Sequence, residues 1–543
     1  MIPRMAIASA LFLLCALAPA ITQAGDDPRV IRRVYIDRRD IFDPSTIDWF
    51  FAGSLVNALH TTTRFDVVED ELLFASGDDL DTAVLQETER NLRRIGVFAS
   101  VQITTRDVGS DSVDVIVQTQ DRLSLRPAVL LGTGGGITNV GGKVEEINLF
   151  GNGTQAMVYG LYRTENAIGW EGMAQLTQRR LFGSEINLIG ALRANRIRTD
   201  QMVQVTQPYR TMSTPWAFSI GVWNAFGSDF DYRSDPAQRN LLPFYDREVV
   251  GWLSQASGER DRLFTSVSVR LSDVQRVVPS SRQAFDNTGH VLVAFSSITQ
   301  SYHRSRFLDG YETEDVPEGA WGSAIIGRVF SLGNGGQTFW YLGGQAEQSR
   351  YVSPALYLHG RIQAGTGFGD RRARYTYLEI NGLGHLKFSE HFVATARIRS
   401  QTAWNWTAFR QLVLDFETGL RGYVANGISG ENRIFTNSEL RWFPGWKTWI
   451  LGWSAVAFYD NGTVWTQGDR LSSTRFHHAV GLGLRIHNLK AAGDDAVFRF
   501  DLAYNMDTGK IAGLIFNINQ AFSAFSSHKY RAPDVLGRDI DLQ

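Results

Sequence analysis

A few residues in this chain have types and spacings that could do chemistry, and most of them argue against a reaction. No Gly-x-Ser-x-Gly run raises a nucleophilic serine at a strand–helix turn. The glycine run "GTGGG" (132–136) lacks the Lys-Ser/Thr of a phosphate loop and reads as a strand turn. His477 and His478 are adjacent, so in a strand they point to opposite faces and make a poor metal pair. They read as loop or rim residues. Cys15 is the one cysteine. The expectation is a non-enzyme with no cofactor and no metal. What remains is one charge in an unusual place. In "AFYDNGTVW" (457–465), Asp460 stands inside an apolar, aromatic strand. An ionised carboxylate there is costly unless a cation meets it.

The elements that must position Asp460 are strands of period two. In "FTSVSVRLS", Val267, Val269 and Leu271 alternate with Ser266, Ser268, Arg270 and Ser272. In "VGLGLRIHN", Leu482, Leu484 and Ile486 alternate with Gly483, Arg485 and His487. In "VFRFDLAYN", Phe498, Phe500, Leu502 and Tyr504 alternate with Arg499, Asp501, Ala503 and Asn505. Each strand has one face fit for lipid and one carrying charges and amides. A soluble sandwich gives the same alternation, but only a closed barrel satisfies every backbone group inside a bilayer. Such segments recur from Pro127 to Phe522 between polar, Gly-rich turns. At about 25 residues per strand and loop, the span predicts roughly 16 transmembrane strands.

Composition agrees. With 52 glycines, 14 prolines and 12% aromatics, the chain suits an all-β protein with many turns. A formal net charge of −2 offers no basic face for nucleic acid. At 543 residues the chain should hold more than one unit. Its start, "MIPRMAIASALFLLCALAPAITQAGDD", reads as a signal peptide: Arg4, an apolar stretch from Met5 to Leu17, and small residues at a cleavage site after Ala24. A lipoprotein reading of Cys15 is poor, because Leu14 is not small and the apolar run continues beyond it. The mature chain then has no cysteine and no run of 18 apolar residues.

Residues 25–123 read differently. "RVIRRVYI" (29–36) predicts a strand and "PSTIDWFFAGSLVNALH" (44–60) a helix. Within 79–108, Asp81 is an N-cap, Leu85, Thr88, Leu92 and Ile95 recur at helical spacing, and Gly96 ends the helix. "ASVQITT" and "SVDVIVQTQD" predict an antiparallel strand pair, with Val113, Val115 and Val117 on one face. With Val34, Ile36, Val101 and Ile103 these residues make a self-contained apolar set.

Three signals in order resemble the Omp85 superfamily, the BamA/TamA or D15 bacterial surface-antigen proteins. "GDDLDTAVLQETERNLRRIGVFASVQI" followed by "VDVIVQTQDRLSLRP" looks like a periplasmic POTRA domain. "GLRGYVANG" (419–427) resembles the family's Arg-Gly-aromatic loop motif, with Leu420 before Arg421, Gly422 and Tyr423. "FYDNGTVW" resembles its Phe-x-Asp-x-Gly strand motif, here Phe458, Asp460 and Gly462. The resemblance implies a sixth extracellular loop folded into the lumen, with Arg421 paired to Asp460 on the wall. Glu439, in "TNSELRWF" (436–443), shares a face with Asn437 and Arg441 and is a second acceptor. Gly422 would let the loop approach the wall, Gly462 would relieve crowding, and Tyr423 would pack on the inner wall.

The last strand, "KIAGLIFNINQAF" (510–522), puts Leu514, Phe516, Ile518 and Phe522 on one face and Gly513, Asn517 and Asn519 on the other. It resembles a C-terminal outer-membrane assembly signal. Unlike the family pattern, a polar tail (523–543) follows, expected as a periplasmic arm or a disordered end. The layout implied is a signal peptide (1–24), a POTRA-like α+β domain (25–123), a transmembrane β-barrel (124–522) and the tail. The function implied is outer-membrane protein assembly or translocation. Unfolded β-rich clients would be captured by β-augmentation on the POTRA edge and by a seam between the strands near Val129 and Phe516. A TamB-like protein or a lipoprotein is the candidate partner, and the outer-membrane bilayer the setting. The alternative is a channel or structural barrel that keeps the motifs. A two-partner secretion role fits less well, lacking a second POTRA domain and a plug helix.

Overall fold

The computed structural model describes residues 29–41, 60–211, 214–235, 238–258, 261–308, 311, 313–333, 336–369, 372–448, 451–489, 497–518 and 529–538. The predicted signal peptide, the predicted helix up to residue 59, Asn519 and Phe522 lie outside the described residues.

The N-terminal part is a three-stranded sheet with a helix against it. Strand β1 (Val30–Arg39) lies parallel to β3 (Ser112–Asp121), and β2 (Phe98–Asp107) pairs antiparallel with β3 on its other side. A short helix, α1 (Phe65–Glu69), precedes α2 (Thr82–Ile95). Asp81 caps α2 by accepting from the Ala83 amide at 2.7 Å, and Gly96 ends it at φ 83°. Leu85, Leu92 and Ile95 then face Val101, Val113, Val115 and Val117, all buried in one core. Sequence periodicity had no purchase on α1, which is only five residues long.

Beyond this unit the chain forms a closed barrel. Among the described residues it has 20 strands, running from Leu125–Gly134 to Lys510–Ile518, plus the two-residue Lys447–Thr448. The expected count of 16 is thus too low. Several connections are much shorter than assumed: residues 135–136, 196–197 and 354–355 each join two strands. Pairs of long strands sit at a spacing nearer 20 residues than 25, as in Leu356–Gly369 and Arg372–Lys387.

The alternation has the anticipated faces. On Asp261–Arg276, Leu263, Val267, Val269 and Leu271 are exposed, while Ser266, Ser268 and Ser272 are buried. On Val497–Asn505, Leu502 and Tyr504 point out, while Arg499, Asp501 and Asn505 are buried. An apolar outside and a polar, filled inside, with the sheet closed on itself, make this a membrane-spanning barrel. No described helix is long and apolar enough to cross a membrane.

The two rims differ. Strand directions put residues 150–153, 179–186 and 208–211 at the rim nearest the N-terminal sheet, and contacts follow. Glu71, just after α1, pairs with Arg180 at 3.1 Å and with Arg210. The Asn148 amide donates to Thr63 at 2.8 Å, and Arg94 donates to the Arg210 carbonyl at 2.8 Å. At the far rim, the long connection 405–431 folds inward and carries a small ribbon, Leu412–Leu414 paired with Ile428–Gly430. It is the eighth connection at that rim rather than the sixth. Five long strands follow it, as a sixteen-strand barrel with a sixth-loop motif would have, so the four additional strands precede the loop.

Candidate functional site

The inward loop is tied by its own backbone first. Asp415 accepts from the Thr418 amide at 3.0 Å and from the Asn426 amide at 2.6 Å, and its carbonyl takes the Leu420 amide at 2.6 Å. Leu420 is buried with Leu414, Tyr423, Phe435 and Ala479. This seats Arg421 against strands Asn432–Trp442 and Leu451–Trp465. In their antiparallel register Asn437 faces Asp460 and Glu439 faces Phe458. The two carboxylates therefore lie diagonally on the same inner face.

Arg421 joins them. Its Nε donates to Asp460 Oδ2 at 2.7 Å and its Nη2 to Asp460 Oδ1 at 2.8 Å, a bidentate fork. Its Nη1 donates to Glu439 Oε1 at 2.8 Å. The Arg421 amide also donates to Asp460 at 3.2 Å. The guanidinium lies 3.6 Å from the centroid of the Phe458 ring, a cation–π contact. Asn437 holds the assembly by donating to Asp460 at 2.8 Å and to the Gly419 carbonyl at 2.6 Å. The Arg421 side chain is 3% exposed and both carboxylates 0%, so the charges are removed from solvent.

Neighbouring charges extend the cluster. Arg441 Nε donates to Glu439 at 2.8 Å, and Arg485 Nη1 to Asp501 at 2.5 Å. Asp501 lies 3.6 Å from Arg421 Nη1. Phe458 is the aromatic residue of the strand motif named from sequence, whereas Asp501 was missed as part of the site. Strand parity puts Asp501 on the lumen face with Arg499, but does not say which lumen charges it meets.

Gly422 has φ 90°, and a Cβ there would sit 3.2 Å from the Cβ of Ala503. Its carbonyl accepts from the Asn505 amide group at 3.0 Å. Tyr423 turns to the far rim. Its hydroxyl donates to Asp507 at 2.9 Å and accepts from the His478 amide at 3.0 Å. His477 Nδ1 lies 2.6 Å from the same Asp507 carboxylate. Both histidines are thus rim residues, His477 on Asp507 and the His478 ring against the Tyr459 hydroxyl at 2.9 Å. Gly462 is pressed by Phe435 and Leu414, within 2.9 Å of where a Cβ would stand.

Among the described residues, the terminal strand closes the ring thinly. Leu514 and Phe516 face outward, opposite Leu502 and Phe500, and the Phe516 and Phe500 rings lie 4.9 Å apart. Gly513, at φ 107°, sits at a register shift in that pairing. Ile518 ends the strand. Against the first barrel strand, a single residue pair is formed among the described residues, Phe516 with Thr133. By contrast, Thr288–Arg306 and Thr313–Ser331 pair along their whole lengths.

No family model and no curated protein sequence matches the chain. Among solved structures it is similar to BamA from Haemophilus ducreyi lacking POTRA domains 1–3, at 13% identity over 91% of this chain and 84% of that one, with a TM-score of 0.42. It is also similar to CdiB from Acinetobacter baumannii, at 12% identity over 91% and 73% with a TM-score of 0.41. CdiB from Escherichia coli is matched at 10% identity over 93% and 92%, with a TM-score of 0.42. At identities and scores this low, the fold rests on the chain's own strand pairings and the site on its own contacts.

Proposed function

We propose that this chain is an Omp85-type outer-membrane protein that inserts or translocates client proteins, with its N-terminal sheet as a periplasmic POTRA-like domain. The observation that carries the reading is the seam. Among the described residues every other junction is a longer ladder, whereas the first and last strands pair at Thr133 and Phe516 alone, which marks this junction as the one to part. Parting exposes two strand edges, and an unpaired edge is a template for a client strand. The Arg421 lock supports the same reading. It ties the inward loop to the wall a few strands from the seam, so the barrel keeps its shape while one junction opens.

Depletion of the protein followed by outer-membrane proteomics tests the reading, with loss of β-barrel or surface-exposed proteins as the expected result. Thr133→Cys with Phe516→Cys places a disulfide across the seam, in a mature chain that has no other cysteine. The locked form should fail to complement depletion, and reduction should restore it. An unchanged outer-membrane protein profile on depletion would overturn the proposal.

A further inference from the structure

Residues 529–538, "KYRAPDVLGR", do not lie outside the barrel as an arm. They run along its inner wall, entering at the rim of the N-terminal sheet and climbing the lumen face of Asp261–Arg276. Tyr530 donates its hydroxyl to Ser266 at 2.9 Å, Ser268 donates to the Pro533 carbonyl at 2.6 Å, and Arg270 donates to Asp534 at 2.5 Å. Arg538 donates to Ser272 at 2.6 Å. Successive inward residues of one strand thus read successive positions of the tail.

The fit has two further layers. One is charge. Arg531, Asp534 and Arg538 alternate in sign, and each meets its opposite: Glu347 at 2.5 Å, Arg270, and Glu248. The other is shape. Tyr530 packs between Tyr209, Trp252 and Phe264 with ring centroids 5.1–5.2 Å apart. Val535 and Leu536 are buried with Tyr341, Tyr377 and Trp406, and the Leu536 amide donates to the Tyr341 hydroxyl at 2.9 Å. Trp406 belongs to the inward loop, and Arg410 of that loop donates to the Gly537 carbonyl at 3.3 Å. Tail and loop therefore meet inside the lumen.

We propose that this stretch of inner wall is a peptide-binding site, and that residues 529–538 are its tethered resident, a plug that must leave before the lumen can admit anything else. The ligand class follows from the contacts: an extended segment with an aromatic residue, then basic, acidic, two aliphatic and basic residues. A wall whose serines, acids and bases are matched one by one holds its occupant by non-covalent contacts alone, so another segment of the same pattern could take its place. The inference deepens the proposed function by naming what occupies the passage. Its test needs no client, so the two can fail separately.

The test is conductance of the purified full-length protein in planar bilayers, compared with a form ending at residue 528. Heat-modifiable migration confirms that each barrel is folded. The truncated barrel should conduct several-fold more. Adding the synthetic peptide of residues 529–538 should close it again, and a peptide with Asp534→Arg should not. Should the truncated form not fold, the full chain carries the test. Arg531→Glu should open the barrel, and Arg531→Glu with Glu347→Arg should close it. A Ser268→Cys, Pro533→Cys pair should cross-link and hold it shut until reduced. Equal conductance of full-length and truncated barrels, or of Arg531→Glu and the unaltered chain, would overturn the proposal, as would failure of the cysteine pair to form in a folded barrel.

Discussion

At the scale of single residues, the buried Arg421 fork makes a sharp prediction. Arg421→Ala leaves Glu439 and Asp460 buried without their shared cation, and breaking a desolvated pair in this way costs about 3–5 kcal/mol. The loss should appear as protease cleavage near Val424, which is already exposed, while the barrel itself still folds. Arg421→Lys should recover part of it, since a point charge cannot fork between two carboxylates. A double-mutant cycle of Arg421→Ala with Asp460→Asn should show strong coupling, and additive effects would show the pair to be idle. Phe458→Leu keeps an apolar side chain and the ion pairs but removes the ring beneath the guanidinium. Its cost should be smaller, about 1–2 kcal/mol, read as a modest rise in cleavage at the same place. The arginine and its two acceptors were legible because motif spacing and strand parity point to the same face. Asp501 and Arg485 were not, since which lumen charges meet across several strands depends on barrel shear, which no local pattern encodes.

At the scale of elements, the N-terminal sheet is the clearest case of sequence reading. The cap, the helix and the valine face of β3 all came from period and composition, because a small α+β core must be closed by its own residues. What the pattern could not give was the parallel pairing of β1 with β3, which is set by a crossover rather than by local alternation. The sheet carries a pH signature. Asp114, on β3, is held down to about 2, first by its hydrogen bonds from Arg32 at 2.8 and 2.7 Å, with Arg106 adding a third at 2.9 Å. A carboxyl depressed in the folded state contributes its stability above its unfolded value near 4, and loses it as pH falls toward about 2. The fragment 27–122, expected to fold alone as an α+β domain by circular dichroism, should therefore keep constant stability from neutral pH to about 4 and lose it steeply below. Asp114→Asn should flatten that step. An unfolded fragment at neutral pH would refute the domain assignment, and an unchanged step in Asp114→Asn the role of the carboxyl.

At the scale of the whole molecule, the chain should be recovered from the outer membrane as a heat-modifiable barrel, and finding the native full-length protein in the soluble periplasmic fraction would refute this. The barrel class was legible because lipid and lumen impose a period of two on every strand. The number of strands was not, because turns of two residues and turns of a dozen leave the same alternation between them. That number has a geometric consequence. Circumference grows in proportion to strand count, so cross-section grows as its square. Passing from 16 strands to 20 enlarges the hole by roughly half. A single infolded loop that stoppers the narrower ring would leave a crescent open in the wider one. The tail occupies the wall of Asn240–Ser257 through Phe339–Ser353, away from the strands that hold Arg421. In the proposed plugged state it is the caulk for that crescent. Widening and caulking should then travel together: deleting two hairpins before the loop ought to leave the tail no room, and a barrel so narrowed should seal without it.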